Sequence, residues 1–208
     1  MTWALGHLVT LADPETYGND YKSWRIEDLP MIPDELELVV IGQTAKQYQA
    51  VKQLLRRSDV TKIIIATDAG REGELVARWI LEKAKVNKPL QRLWISSVTD
   101  KAIRQGFEKL KDGSEYENLY ASAAARAASD WYVGINATRA LTCKFNAQLS
   151  CGRVQTPTLA IIAEREKEIQ AFVPQKYYGI TAKSQGISFT WQEKENKGYH
   201  SFDLGVVK

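Results

Sequence analysis

Between Leu36 and Ile95 short apolar runs alternate with amphipathic stretches, and this alternation constrains the fold more than any other feature of the chain. At its centre is Lys62-Ile63-Ile64-Ile65-Ala66, a β-branched run with no polar alternation. Such a strand is buried on both faces, as in a parallel sheet. Before it come a strand at Leu36–Ile41 and a helix at Thr44–Arg57, with Tyr48, Val51, Leu54 and Leu55 at helical spacing. After it come a helix at Arg71–Lys85, with Leu75, Ala77, Ile80 and Leu81 inside, and a strand at Leu90–Ile95. Strand, helix, strand, helix, strand predicts an α/β unit: a parallel sheet with right-handed crossovers.

The flanks have a different texture. Asp13-Pro14, Gly18-Asn19-Asp20, Leu29-Pro30 and Ile32-Pro33 make the opening loop-rich. Beyond Ser96 the chain reads as helical: Thr99–Leu110 capped by Thr99 or Ser97, a turn at Lys111-Asp112-Gly113-Ser114, then a long alanine-rich helix from Glu115 to about Lys144. Ser150–Gly152 breaks the pattern, and Thr156-Pro157 opens a further helix to about Phe172, with proline suited to its first turn. Tyr177–Thr181 and Ile187–Trp191 read as strands joined at Gly186. The expected regions are an α/β unit at 1–97, a mostly helical unit at 98–175 and a short β segment at 176–208. A lone hairpin is marginally stable in water, so the natural sequence is expected to continue past Lys208.

Composition narrows the function classes. With 44% hydrophobic and 25% charged residues, the 208-residue chain can bury a core. No apolar run is long enough to span a bilayer, and Met1–Ala12 lacks the features of a signal peptide, so the expected compartment is the cytoplasm and no membrane partner is expected. Cys143 and Cys151 cannot make a two-pair zinc site and read as reduced thiols. A net charge of +3 does not argue for nucleic acid by itself, so any such claim rests on where the basic residues sit.

Two segments carry chemistry. The first is Ala66-Thr67-Asp68-Ala69-Gly70-Arg71-Glu72-Gly73-Glu74. Ligands of open α/β sheets bind beyond the carboxyl ends of the strands, where Asp68 falls. Glu72 follows one helical turn later, so both carboxylates can face one side and offer oxygen to Mg²⁺. Gly70 and Gly73 admit a phosphate or a second backbone. The alternative is structural: aspartate caps helices, and first-turn acids favour the helix dipole.

The second segment is Ser150-Cys151-Gly152-Arg153-Val154-Gln155-Thr156-Pro157. Arg153 can grip a phosphate with two N–H groups. Ser150, Gln155 and Thr156 add neutral hydrogen bonds, and the following helix presents free backbone N–H groups. The alternative is a capped helix–helix connection. Upstream, Arg126 and Asp130 are four apart and can pair. Trp131 is either a core residue or a base-stacking platform.

The first segment resembles the toprim signature, and the second resembles the Ser-x-Gly-Arg-Val-Gln motif of bacterial type IA DNA topoisomerases, especially their topoisomerase III-like members. Arg126–Ala140, Trp24–Pro30, Ser96–Ile103 and Phe172-Val173-Pro174 are also similar to that family. The resemblance implies a fragment holding part of a toprim domain, a helical domain that lines a single-stranded DNA groove, and the start of a β-rich arch. It implies Mg²⁺ as cofactor, with Asp68 and Glu72 on the metal, and single-stranded DNA at Arg139 and at Ser150, Gly152, Arg153, Val154, Gln155, Thr156 and Pro157. The implied parent activity is transient single-strand cleavage, strand passage and religation. There are departures. Gly70 stands where the family signature has a second aspartate, and Met1–His7 resembles the segment after the strand that carries the family's glutamate. An incomplete metal site is therefore expected. No tyrosine here precedes the proline–arginine sequence of the family's cleaving segment, so this chain is not expected to cut DNA alone. Another toprim enzyme, primase- or nuclease-like, and a non-catalytic single-strand-binding module are the competing readings.

Overall fold

The computed structural model describes residues 1–194 and 197–207. The chain divides into two compact units, Met1–Thr156 and Pro157–Lys208. The expected boundary at residues 97 and 98 falls inside the first.

In the first unit, β1 (Val9–Leu11) pairs antiparallel with β2 (Leu38–Val40), Val9 opposite Val40. Next come α1 (Ala45–Leu55), β3 (Ile63–Ile65), α2 (Arg71–Ala84) and β4 (Leu90–Arg92). The strands β3 and β4 are parallel, with Ile65 opposite Arg92. Helix α3 (Asp100–Glu108) follows, and β5 (Lys111–Asp112) closes the sheet antiparallel to β4. Helix α4 (Glu117–Phe145) completes the unit's regular elements.

The expected parallel crossover is present between β3 and β4. The expected strand at Leu36–Ile41 does not join it. Its core, β2, pairs instead with β1, which lies in the opening that reads as loop-rich. Three residues of strand leave little periodic signal, and the nearby turn signals mask them.

Helix α2 is the hub. Leu75, Trp79, Ile80, Leu81 and Ala84 are buried together with Leu8 and Val9, Tyr48, Val51 and Leu55 of α1, Ile65 of β3 and Ala123 of α4. It packs on α4, α1, β1 and β2. Burying each large apolar side chain contributes about 1.5–3 kcal/mol. Lys85, at φ 52°, ends it, its N–H donating to the carbonyls of Leu81 and Glu82.

The irregular opening is tied to α4 by its backbone groups. Asn136 Oδ1 accepts from Met31 N at 2.6 Å, and its Nδ2 donates to Met31 O at 3.0 Å. Trp131 Nε1 donates to Ala12 O at 2.9 Å, and the Tyr132 hydroxyl to Pro33 O at 3.1 Å. These bonds satisfy polar groups that no sheet provides for.

The second unit contains most of α5 (Gln155–Gln170), which begins two residues before the division. A hairpin follows, β6 (Thr181–Ser184) and β7 (Ile187–Thr190), then the short α6 (Leu204–Val207). Gln185 and Gly186, at φ 50° and 80°, form the two-residue turn. Positive φ at both positions suits the twist of a hairpin. The first strand starts later than the expected Tyr177.

Candidate functional site

The acidic turn leaves the carboxyl end of β3 and enters α2. The N-cap position of α2 is Gly70 and no side chain caps it, so Asp68 is not a helix cap. The Asp68 carboxylate is exposed and makes no hydrogen bond or ion pair with the described residues. Glu72 is also exposed, and its Oε1 lies 2.6 Å from Nε2 of His7. Glu74, two residues on, is fully buried and faces the opposite way. Its Oε2 accepts from Arg92 Nε at 2.8 Å and its Oε1 from Arg78 Nε at 2.9 Å. Arg78 also reaches Glu117 Oε1 and the Gly113 carbonyl. Burial works against the Arg78 charge, but its bonds to Glu74 and Glu117 outweigh that, and its pKa is raised.

Gly73 lets α2 approach the turn. A Cβ there would lie 2.1 Å from the Asp68 carbonyl oxygen. Across the same contact, Thr67 Oγ1 donates to Gly73 O at 2.7 Å. This glycine serves close backbone approach, as its place in the sequence implies.

Among the described residues, no three His, Cys, Asp or Glu side chains gather as a metal cage. Mg²⁺ commonly takes one or two carboxylates from protein and the rest of its shell from water and phosphate. Two outward carboxylates at the strand end, Asp68 and Glu72, fit that share. Among the described residues, the His7 contact to Glu72 is the one competitor.

The second segment lies along one face of α4, against Asp130, Gly134, Thr138 and Thr142, which recur every four residues. Thr142 Oγ1 donates to Leu149 O at 3.0 Å and accepts from Leu149 N at 3.3 Å. Thr138 Oγ1 bonds both the N–H and the carbonyl of Cys151, at 3.0 and 3.2 Å. Gly134 faces the same carbonyl, which a Cβ there would meet at 3.9 Å in ordinary contact. Arg153 Nη1 donates to Asp130 Oδ1 at 3.0 Å. The Arg126–Asp130 pair expected along the helix is longer, 3.8 Å, so Asp130 sits closer to Arg153. Two guanidiniums thus share one carboxylate, leaving net positive charge. The Nε–Nη2 edge of Arg153 makes no hydrogen bond to the described residues.

Within the loop, Gly152 N donates to Thr156 Oγ1 at 3.0 Å and Gln155 Nε2 to Ser150 Oγ at 3.3 Å. Val154 is exposed, and Pro157 occupies the first turn of α5. A cleft of 480 Å³ opens beside the loop, lined by Ser150, Cys151 and Gln155 from one side and by Thr138, Arg139 and Trp24 among others. Arg139 is only 5% exposed; its Nη1 donates to the Tyr21 carbonyl at 2.8 Å, and it lies over the Trp24 ring. Trp131, with its N–H on Ala12 and its ring edge-on to Tyr17 and Tyr132, is a packing residue.

Sequence reasoning missed Arg92, Glu74, His7 and Trp24. Arg92 and Glu74 had a signal: an arginine inside an apolar strand beside a parallel partner must find a buried counter-charge. His7 and Trp24 lie in irregular chain, where no periodicity marks a role and only the family likeness of their segments points to them.

Comparison with known proteins agrees with both segments. The Toprim domain family matches residues 1–98, and a DNA topoisomerase family matches residues 114–203. The chain is 69% identical over 207 residues to DNA topoisomerase 3 of Bacillus subtilis (strain 168) and 68% identical to that of Bacillus licheniformis, covering 100% of this chain in each case. It is 67% identical to DNA topoisomerase 3 of Shouchella clausii over 98% of its length. It spans 28% of the length of each of these relatives. Among solved structures it is similar to full-length topoisomerase I from Thermotoga maritima, with a TM-score of 0.63 and 27% identity over 88% of this chain and 29% of that one. With a toprim segment followed by a topoisomerase segment, and likeness to DNA topoisomerase 3 along its whole length, the chain carries Toprim and bacterial type IA topoisomerase domains.

Proposed function

We propose that the chain supplies a single-strand DNA groove and the acidic part of a Mg²⁺ site to an isomerase that cuts one strand, passes another through the gap and reseals the break. The observation that carries this reading is the convergence of Ser150, Gln155 and Arg139 on one cleft. Arg153 stands in the same loop with one edge of its guanidinium unspent.

The roles follow from the contacts. The Nε–Nη2 edge of Arg153 takes a phosphate in a two-point grip while Asp130 holds the other nitrogen. Ser150, Gly152, Gln155 and Thr156 brace one another and offer neutral hydrogen bonds, which position a strand without reading its sequence. Val154 lends apolar contact. Arg139, anchored to the Tyr21 carbonyl, supplies the cation of a cleft that Asp13 and Glu15 also line. Asp68 and Glu72 would hold Mg²⁺, which when bound supplies positive charge beside phosphate oxygens. No tyrosine among these 208 residues precedes the proline–arginine sequence of the family's cleaving segment, so on this reading the chain binds a strand without cutting it. On this reading the reaction takes place in the bacterial cytoplasm.

The test titrates the chain into labelled single-stranded and duplex oligonucleotides at low and high salt, beside Arg153→Ala. Single strands should bind better than duplex, and binding should weaken with salt. Removing one phosphate contact should reduce the salt slope by about one. Equal binding of both forms, or an unchanged slope, would overturn the groove assignment. Strand cleavage by this chain alone would overturn the division of labour.

A further inference from the structure

Three acids lie within the turn and first helical stretch at 68–74, and only Asp68 and Glu72 face outward. The third, Glu74, has a side chain that is 0% exposed, and so does its partner Arg92. Arg92 spends its guanidinium in an unusual way. Nε bonds Glu74, Nη1 bonds the carbonyls of Ile65, Thr67 and Leu93 at 3.2, 2.8 and 2.8 Å, and Nη2 bonds the carbonyl of Asp68 at 2.6 Å. Every nitrogen is used, and three of the four carbonyls belong to residues 65–68.

A buried ion pair whose only task was to hold helix to strand would not need those carbonyls. Here the guanidinium collects the backbone where β3 ends and the turn begins. The Asp68 carbonyl also accepts from Gly70 N at 2.9 Å, and Gly73 packs against it from the helix side. Asp68 therefore has its backbone clamped by Arg92 on one side and α2 on the other, while its carboxylate stays open. Arg78, 10% exposed in its side chain, holds the second oxygen of Glu74 and so fixes the carboxylate that orients Arg92.

We infer that Arg92 and Glu74 are positioning residues for the carboxylate of Asp68: a buried charge pair beneath the turn sets where the outward acid points. This rests on the reading of Asp68 and Glu72 as the chain's share of a divalent-cation site. It assigns Glu74 to the support beneath that site and not to the site itself.

The experiment uses the 208-residue chain labelled with ¹⁵N. Amide exchange is followed at Gly70, whose N–H bonds Asp68 O, and at Glu74, whose N–H bonds Gly70 O at 3.1 Å. Mn²⁺ is titrated as a paramagnetic stand-in for Mg²⁺. In Arg92→Lys, which keeps the charge but cannot reach four carbonyls, exchange at both amides should quicken about tenfold or more, while amides in the middle of α4 keep their protection. Mn²⁺ broadening at Gly70 should need a higher concentration than in the wild type. Glu74→Gln keeps an acceptor for Arg92, should loosen the turn less, and serves as the readable variant if Arg92→Lys does not fold. Unchanged exchange at Gly70 and Glu74 in a folded variant overturns the positioning role. Absence of Mn²⁺ broadening at Gly70 in the wild type, abolished exchange differences aside, overturns the cation reading alone, and the exchange result still judges the positioning.

Discussion

The acidic turn and the groove loop are both irregular segments held in fixed shapes, but by opposite means. Beneath the turn lies a fully buried Arg92–Glu74 pair with a second guanidinium behind it. The groove loop has no such anchor. It rests on α4 through hydroxyl-to-backbone bonds from Thr138 and Thr142 and through an Arg153–Asp130 pair whose side chains are 42% and 46% exposed. The first arrangement is all-or-none, because removing one member strands a charge in low dielectric. The second is graded, because each contact is modest and water stands ready to replace it. On the proposed reading the turn presents two carboxylates that must hold their place, whereas the loop meets a flexible polymer.

The sharpest way to break this comparison is at the buried pair. Glu74→Leu leaves Arg92 without its counter-charge and should cost about 3–5 kcal/mol. Chemical denaturation reads this as a lowered midpoint, and a loss as small as that of a surface pair would mean the anchor is not what holds the turn. Next in size is Gly73→Ala. Its Cβ would stand 2.1 Å from a backbone oxygen, which only movement of the helix start can relieve. A loss of about 1–3 kcal/mol is expected from thermal melts, the range for overpacking a tight contact. On the loop side, Thr138→Val removes both bonds to Cys151 while keeping the shape, and should cost only about 1 kcal/mol. A loss as large as that of Glu74→Leu would erase the distinction between the two regions.

The smallest effect concerns pH at the α2–α4 contact that backs the anchor. Burial, followed by the hydrogen bond to Glu82, raises the Tyr120 pKa. A group with a raised folded pKa stabilises fully below its unfolded value, which for tyrosine is about 10, and loses that contribution as pH climbs through the folded value. The melting temperature of wild type relative to Tyr120→Phe should therefore be flat up to about pH 10 and fall only above it. A decline beginning near neutrality would contradict the sign.

Much of this was legible beforehand, and the gaps have physical causes. The β3–α2–β4 crossover, the Thr99 cap and the length of α4 follow from periodicity and local chemistry, which act over a few residues. The β1–β2 pairing joins segments about thirty residues apart through three-residue strands, too short to carry a period. The toprim-like and Gly-Arg-Val-Gln segments announced themselves as motifs. What supports them did not: Arg92 is far from the turn in sequence, and the Thr138–Cys151 contact crosses from a helix to a loop. Motifs record the groups that face a ligand, while the groups that hold them still are spread through the chain.

The loop's way of lying on α4 also limits how its length can change. Leu149 and Cys151 each turn both backbone groups toward the helix, and Arg153 sends its side chain there; Ser150 and the exposed Val154 fall between or beyond. Thr142, Thr138 and Asp130, spaced one helical turn at a time, thus fix Leu149, Cys151 and Arg153 in register along α4. Inserting or deleting a residue between Leu149 and Arg153 would part at least one of these groups from its partner on the helix. Among relatives of this chain, indels here should therefore be rare, however freely the individual side chains vary.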